Sequence, residues 1–321
     1  MDFELNDDQE ALVDAIGTLC AGRFPIDTVR SLADVGGVDP SLWSELAATG
    51  VFGLVVAEAD GGVGLGWADA VLVFEQLGRH LIPGPLVGTL LASTLRPELA
   101  DGSRVVGVVD GDRFAGMIEY SSALDTLLVL TDDAVQLVAM DDISVVEAPY
   151  PLDPLTPVAQ TNGALPRGEI IGTAEDAARL RLAGAALSSA LQLGLASGAT
   201  ALAVDYAKER EQFGKPIGTF QAVKHMCADM LTTVELARAA VYFAGVVLDD
   251  PEVGTADEAV AAATIVACEA GDFCGKTCVQ VHGGMGYTWE VDAHLYLKRS
   301  WVLHHAFASP DEHAELLASR L

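Results

Sequence analysis

The sequence predicts a mainly α protein with a small β domain in the middle of the chain. Apolar residues recur at helical spacing on both flanks, whereas between about residues 98 and 170 they gather into short Val/Leu runs. Clusters of Gly, Pro and Asp mark each change of period. At 321 residues the length alone suits about two domains or one elaborated one, at roughly 150 residues each. The pattern divides it into a helical N-terminal domain (1–97), a small sheet domain (98–173) and a C-terminal helical bundle (174–321).

Asn6 is the expected N-cap of the first helix. Asp7 and Asp8 suit its positive end, and Leu12, Ile16, Leu19 and Cys20 form its apolar stripe. Further helical stretches run from Pro40 (with Trp43 and Leu46) and from Trp67 to Leu77, separated by glycine turns at 50–53 and 60–64. The runs 105–109, 127–130 and 135–138 are Val- and Leu-rich and bounded by Asp-containing turns, which predicts a small antiparallel sheet. Four long helices follow near 174–210, 217–249, 256–281 and 290–319, broken at Phe213-Gly214-Lys215-Pro216, Asp249-Asp250-Pro251 and Gly283-Gly284-Met285-Gly286. Asp249-Asp250-Pro251-Glu252 reads as a solvated helix-breaking loop.

The chain is 51% hydrophobic and carries a formal charge of −28. That excludes disorder and makes nucleic acid and anionic membrane surfaces poor partners, since both repel such a surface. The acidic start, Met1 to Glu4, lacks the basic and apolar regions of a secretory signal. Five cysteines without framework spacing point to reduced thiols. The expectation is a soluble cytoplasmic protein. Residues 182–204 carry no charge and are long enough to span a bilayer, with Gly194 and Gly198 in the small-xxx-small spacing of membrane helix pairs. Ser188, Ser189, Gln192, Ser197 and Thr200 within the run, and the lack of an aromatic belt, favour a helix buried on all sides of a soluble bundle.

Two interruptions of the bundle combine polar residues with glycine. One is Arg210-Glu211-Gln212-Phe213-Gly214, followed by Phe220-Gln221; the other runs from Gln280 through Val281, His282, Gly283 and Gly284 to Tyr287. Glycines at a helix end let backbone amides approach a ligand, and an arginine clamps an anionic oxygen. In so acidic a chain, an arginine beside two such junctions points to a bound anion. For the glycines alone, turning the chain is explanation enough.

The string Arg-Glu-Gln-Phe-Gly-Lys-Pro-Ile-Gly-Thr-Phe-Gln-Ala-Val-Lys-His over 210–225, together with Gln280 to Tyr287, resembles the FAD-dependent acyl-CoA dehydrogenases. Trp43-Ser-Glu-Leu-Ala-Ala-Thr-Gly50 and Glu75-Gln-Leu-Gly-Arg79 resemble that family's first domain, so the likeness covers nearly the whole chain. The resemblance implies a helical domain, a β domain and a four-helix bundle whose two motifs hold the FAD of a neighbouring subunit. By the same resemblance Arg210 binds the pyrophosphate with Phe213 near it, and Phe220 and Gln221 line the adenosine side. Gln280, Val281, His282, Gly283 and Gly284 contact the ADP half through side chain and backbone.

The family reaction needs a carboxylate to remove an α-proton of an acyl-CoA, within hydrogen-bond reach of it. Relatives place that acid either on the helix before Arg-x-x-Phe-Gly, which falls near Gly184 here, or after the glycine turn, near Phe307 or Ala308. No Asp or Glu occurs from 177 to 204 or from 294 to 310. The family's Thr-Glu-Pro-Gly-x-Gly-Ser-like loop and Trp-Ile-Thr/Ser stretch, which cradle the flavin ring, are also missing between 91 and 173. The pattern therefore resembles the short subunits of paired acyl-CoA dehydrogenases of steroid-degrading actinobacteria. It implies an α2β2 heterotetramer in which a larger paralogous subunit supplies the flavin pocket, the CoA cleft and the base. This chain would complete the ADP half of a shared FAD and be inactive alone, with a steroid-derived CoA thioester as the candidate substrate. A flavin-free structural or regulatory paralogue and a superfamily flavin monooxygenase are the alternatives.

Glu290 is the single candidate for a displaced base, although the first turn of the last helix is an ordinary place for an acid. Cys274, Cys278 and His282 share a helix face. Spread over eight residues they span about 12 Å, too far to hold one ion, so no metal is expected. Of His304 and His305, one is expected to face the core.

Overall fold

A computed structural model describes residues 5–320; the acidic start at Met1 to Glu4 lies outside the described residues. Helix α1 (Asp7–Arg23) opens on a full capping box, in which Asn6 accepts from the Gln9 amide and the Gln9 side chain reaches back to the Asn6 amide. Helices α2 (Ile26–Ser31), α3 (Pro40–Ala47), α4 (Trp67–Arg79) and α5 (Leu86–Ser93) complete the N-terminal part. Asp39 caps α3 through the Ser41 and Leu42 amides, ahead of a proline that suits the first helical position.

The middle of the chain forms two small sheets. One has strand order β1 (Val106–Asp110), β3 (Thr126–Leu130), β4 (Ala134–Ala139) and β7 (Glu169–Thr173). The other sets β2 (Met117–Glu119) and β5 (Val145–Glu147) on either side of β6 (Val158–Thr161). The expected antiparallel sheet is corrected in one respect: β1 runs parallel to β3. The chain leaves β1 for the second sheet before returning as β3, and that excursion supplies the crossover that parallel neighbours require.

Helix α6 (Ala174–Glu209) starts at Thr173 with a second capping box, closed by Asp176. The short hairpin of β8 (Glu211–Gln212) and β9 (Lys215–Pro216) leads to α7 (Gln221–Asp249), and α8 (Ala256–His282) follows. The last helical stretch is two helices rather than one, α9 (Ala293–Leu303) and α10 (Pro310–Ala318). Phe307 and Ala308 take positive φ, and Ser309 with Glu312 builds a new capping box before Pro310, so the helix has to restart.

One hydrophobic core runs from the N-terminal helices through the bundle and onto the inner faces of β1, β3 and β4. A smaller core built around Ile118, Tyr120 and Leu127 lies between the sheets. The uncharged stretch of α6 is at its centre. Among the described residues α6 and α7 are long and apolar enough to cross a membrane, but 78% of the apolar window of α6 is buried inside the protein, against 33% for α7. The two glycines in membrane-like spacing are contact points within this one chain. A Cβ on Gly194 would collide with the Glu75 carbonyl oxygen and the Arg79 amide of α4, and one on Gly198 with the Tyr296 ring. From the opposite side Gly78 sits against the Leu191 carbonyl.

Polar ties lock the same layer. Buried Glu75 accepts from Arg238 Nη2 at 2.8 Å and from the Tyr242 hydroxyl at 2.7 Å, joining α4 to α7. Asp249 is more than part of a solvated loop: its carboxylate accepts from the Trp67 and Ala68 amides, each at 2.8 Å, and so caps α4 from the far end of α7. Gly194→Ala gains the helix propensity of alanine, roughly 0.5–1 kcal/mol, but forces a methyl group into backbone atoms. A net loss of about 1–3 kcal/mol is expected, typical of overpacking, and seen as a lower urea midpoint. An unchanged midpoint would mean that α4 and α6 are not in backbone contact.

Candidate functional site

Helix α6 ends at Glu209, and Arg210 turns into extended backbone. The Arg210 carbonyl then accepts from the Ile217 amide at 2.7 Å, folding the hairpin back on the helix end. At the hairpin tip Phe213 and Gly214 both have positive φ. At the end of α8, Gly283 takes φ 61° and ψ −138°, a backbone state open to glycine, and starts the 283–287 turn. The two junctions meet because the Tyr206 ring of α6 stacks on His282 of α8, centroids 4.1 Å apart. His282 Nδ1 lies 2.8 Å from the Cys278 carbonyl; a carbonyl only accepts, so this nitrogen carries the proton.

The corner so formed is polar, glycine-rich and aromatic. Arg210, Gln221, Gln280, Gly283 and Gly284 are exposed, Phe220 is half-buried, and Phe213 is 92% exposed. Phe213 and Phe220 meet edge to face at 6.1 Å, and Lys215 Nζ stands 4.4 Å from the Phe220 ring centre. Among the described residues Arg210 makes no ion pair. A Cβ on Gly283 or Gly284 would meet nothing within 4 Å, so a ligand can approach that backbone from outside. An unneutralised guanidinium, two amide side chains and a bare backbone turn fit a diphosphate with an adenosine. Val281 and His282 differ from the expectation, because their side chains are buried in the bundle and only the backbone there is left for a ligand.

A second feature lies at the other end of α6. A cavity of about 530 Å³ opens between the N-terminal helices, β1, β2, α6 and the segment around 299–312. Phe307 and Ala308 line the cavity, and Phe307 packs on Gly184, where a Cβ would strike its ring, so the positions at which the resemblance expects a base lie together. Glu290 is exposed in the turn before α9, not in the first turn of that helix as expected, and it does not line the cavity.

Three acids do line the cavity, and two are engaged. Asp110 is held by Arg181 at 3.0 Å and Arg113 at 3.2 Å. Glu312 accepts from the Ser309 amide at 2.7 Å, and that bond, with the Ser309 hydroxyl, holds its pKa below the usual carboxylate range. The third, Glu119, was not singled out by sequence reasoning; its one signal was the alternation Met117-Ile118-Glu119-Tyr120, which sends Ile118 and Tyr120 to the core. Its side chain is exposed where the cavity opens, yet the protein around its carboxyl desolvates it. That desolvation pushes its pKa up to about 7, against the pull of Arg299 and with a smaller push from Asp153. Arg299 itself is buried and paired with buried Asp153. Burial disfavours its charge, but Asp153, Tyr120 and Glu119 more than offset this and raise its pKa.

The loop after β1 is rich in carboxylates. Arg181 ties Asp110, Asp112 at 2.8 Å and Asp132 at 2.9 Å, closing that loop onto α6 with carboxylates. Cys274 contacts the Met230 carbonyl and Cys278 contacts His282, and no group of three metal-ligating side chains occurs among the described residues. Burial pushes the thiols of Cys20, Cys268 and Cys278 up to about 12, which keeps them unreactive. His304 is half-buried against the Cys268 carbonyl at 3.3 Å, while His305 is exposed beside the cavity.

Comparison with known proteins agrees with this architecture. The profile of the acyl-CoA dehydrogenase N-terminal domain matches residues 6–96, and that of the C-terminal domain matches 176–306. The acyl-CoA dehydrogenase IpdE2 of Mycobacterium tuberculosis is 32% identical across 98% of both chains. The acyl-CoA dehydrogenase FadE34 of the same organism is 34% identical over 81% of this chain and 39% of its own length. Among solved structures, a chain of the ChsE4–ChsE5 complex from M. tuberculosis superposes with a TM-score of 0.87 at 25% identity, covering 99% of this chain and 98% of that one. A chain of the Tcur3481–Tcur3483 steroid ACAD gives 0.84 at 26% identity, covering 98% and 97%. The chain belongs to the acyl-CoA dehydrogenase family, whose members are oxidoreductases that use FAD.

The raised pKa of Glu119 has a thermodynamic consequence. Between about pH 4.5 and 7 the unfolded chain releases this proton and the folded chain keeps it, so the residue makes stability fall as pH rises through that window. Glu119→Gln should match the parent melting temperature below pH 5 and exceed it at pH 8. Equal values at both pH would show that the carboxyl is not desolvated.

Proposed function

We propose that this chain is the smaller subunit of a heteromeric FAD-dependent acyl-CoA dehydrogenase, assembled as α2β2 in the cytoplasm and inactive alone. A larger paralogous subunit seats the flavin and the CoA thioester and supplies the base, while this chain completes the ADP half of the shared FAD. When bound, FAD supplies the hydride acceptor for α,β-dehydrogenation. From this chain Arg210 would hold the pyrophosphate, Gln280 and the backbone at Gly283 and Gly284 would bind along the nucleotide, and Phe213, Phe220 and Gln221 would border the adenosine. The domain division at residues 97 and 173 belongs to the same reading.

The carrying observation is an intact exposed nucleotide corner in a chain whose two base positions, Gly184 and Phe307, are filled by hydrocarbon. Distance supports it as well. At about 1.5 Å rise per residue, Gly184 and Arg210 are separated by roughly 39 Å along α6, so corner and cavity serve different sites. Tyr287 is 83% exposed, Trp289 61%, and α7 leaves Leu231 and Leu236 uncovered, as a surface that meets a partner does. The relatives point the same way: the ChsE4–ChsE5 neighbour is a complex of two different chains, and a steroid-derived acyl-CoA is the substrate class suggested by the Tcur3481–Tcur3483 steroid ACAD.

Purified alone the protein should be colourless, and co-expressed with its larger paralogue it should yield a yellow complex. A yellow homomer would overturn the proposal, and a complex colourless even with the partner would leave a flavin-free scaffold. Within the complex, Arg210→Ala should weaken FAD retention roughly ten- to a hundredfold, the equivalent of a hydrogen bond to a charged group at about 1.5–3 kcal/mol. Unchanged flavin occupancy would remove that role. Glu290→Gln should leave turnover intact; a loss of several orders of magnitude would make Glu290 the base.

A further inference from the structure

The segment that follows the glycine turn is held from a distant part of the chain. Residues 287–290 are all exposed, so burial does not fix them. Local bonds do little more. The Thr288 amide and hydroxyl donate to the Met285 carbonyl at 2.9 and 2.8 Å, and the Val291 amide stands 3.5 Å from the Thr288 carbonyl, at the outer limit of a hydrogen bond. Arg30, near the end of α2, adds a long-range tie. Its Nη1 donates to the Asp292 carboxylate at 2.5 Å, and its Nη2 donates to the Trp289 carbonyl. One planar guanidinium thus grips two points three residues apart, a task for a rigid fork that a lysine cannot match.

Asp292 departs from a local rule in making this contact. It is the N-cap residue of α9, and aspartate is among the residues that best satisfy the free amides at a helix start. Asn6, Asp39, Thr173 and Ser309 each cap the helix they precede. The Asp292 side chain makes no capping bond, and α9 has no acid in its first turn. Its carboxylate is committed to Arg30 instead, with both side chains half-buried. Local rules are broken in this way where something other than helix stability sets the residue.

The tie joins a fixed element to the nucleotide corner. Arg30 follows Val29, which is buried in the main core. The segment it holds continues directly from Gly283 and Gly284, and Gly286 pins the turn at its other side, where a Cβ would fall 2.5 Å from the Val279 carbonyl oxygen of α8. The Trp289 ring rests on α9, with Lys298 Nζ 4.4 Å from its centre and the His294 ring edge-on at 4.7 Å. Those contacts are between near neighbours in sequence, whereas Arg30 reaches across about the whole chain from the N-terminal helices.

We propose that Arg30 is a positioning residue for the nucleotide corner: by holding Trp289 and Asp292 it sets the course of residues 283–292, and with it the backbone that the glycine turn offers to a ligand. This rests on the reading of the corner as the ADP half of a shared FAD site. Arg30 acts through the turn. Released from it, the segment takes other courses, and affinity falls with the fraction of molecules that keep the binding shape.

Two readouts test this, with Arg23→Met, which removes the exposed Arg23–Glu45 pair elsewhere in the N-terminal helices, as the control. In the full chain without flavin, Arg30→Met should speed amide hydrogen exchange across 284–292 roughly fivefold or more, with α1, α6 and α8 at parent rates. In the assembled complex it should raise the Kd for FAD about tenfold, the result of a binding-competent fraction reduced to about a tenth. Arg30→Lys, which keeps the charge but not the fork, should raise it about threefold. Asp292→Asn should reproduce the Arg30→Met pattern, and Arg23→Met should change neither readout. Exchange that is unchanged across 284–292, or raised evenly throughout the chain, would overturn the proposal. Arg210→Ala in the same titration separates it from the reading beneath it. If Arg210→Ala weakens FAD binding and Arg30→Met does not, the role of Arg30 falls and the corner stands; if Arg210→Ala has no effect, the corner reading falls and takes this role with it.

Discussion

Helix α6 runs past the cavity and ends at the glycine-rich corner, and its backbone lies directly against that of α4. Gly78 and Gly194 remove the side chains that would hold the two helices apart. With 36 residues, α6 is about 54 Å long at the usual rise. It leaves the sheets at Thr173, passes the cavity at Ser188, Leu191 and Leu195, and ends at the Arg210 corner. An α6 displaced by one methyl group would widen the layer in which Glu75, Arg238 and Tyr242 meet and would shift Gly184 relative to Phe307. The position of the site therefore rests on a packing contact between backbones.

The cavity and the corner use charge in opposite ways. At the corner, a chain with a net charge of −28 leaves Arg210 exposed and without an ion pair among the described residues, beside bare backbone, which favours an anionic ligand. In the cavity wall, Arg299 is paired with buried Asp153, so its charge is already balanced. The Arg181 cluster uses charge in a third way, tying the β1 loop to α6 through Asp110, Asp112 and Asp132.

The outer surface is uneven in the same sense. Helix α7 is apolar yet mostly uncovered, and the aromatic residues around the glycine turn project into solvent. An acidic protein gains solubility from its charge but keeps this face apolar, which is economical when a second chain covers it.

Much of this could be read from residue order, because the physics involved is local. Capping at Asn6, the change of period near residue 98, the glycine turn after His282 and the exposed Arg210 each depend on neighbours within a turn or two. The family resemblance likewise located Gly184 and Phe307 as the two places where an acid is missing. That these residues touch was not legible, since they are far apart in the chain and meet only when α6 and the segment after α9 pack together. The same holds for Asp249, which caps a helix from a distant part of the sequence, for the parallel pairing of β1 with β3, and for the break before α10. Glu119 is the clearest case: a glutamate in a short alternating strand is unremarked in sequence, and desolvation by the folded protein raises its pKa against the opposing pull of Arg299. Short-range hydrogen bonding and periodicity are written in the order of residues, whereas burial and long-range charge exist only once the chain has closed on itself.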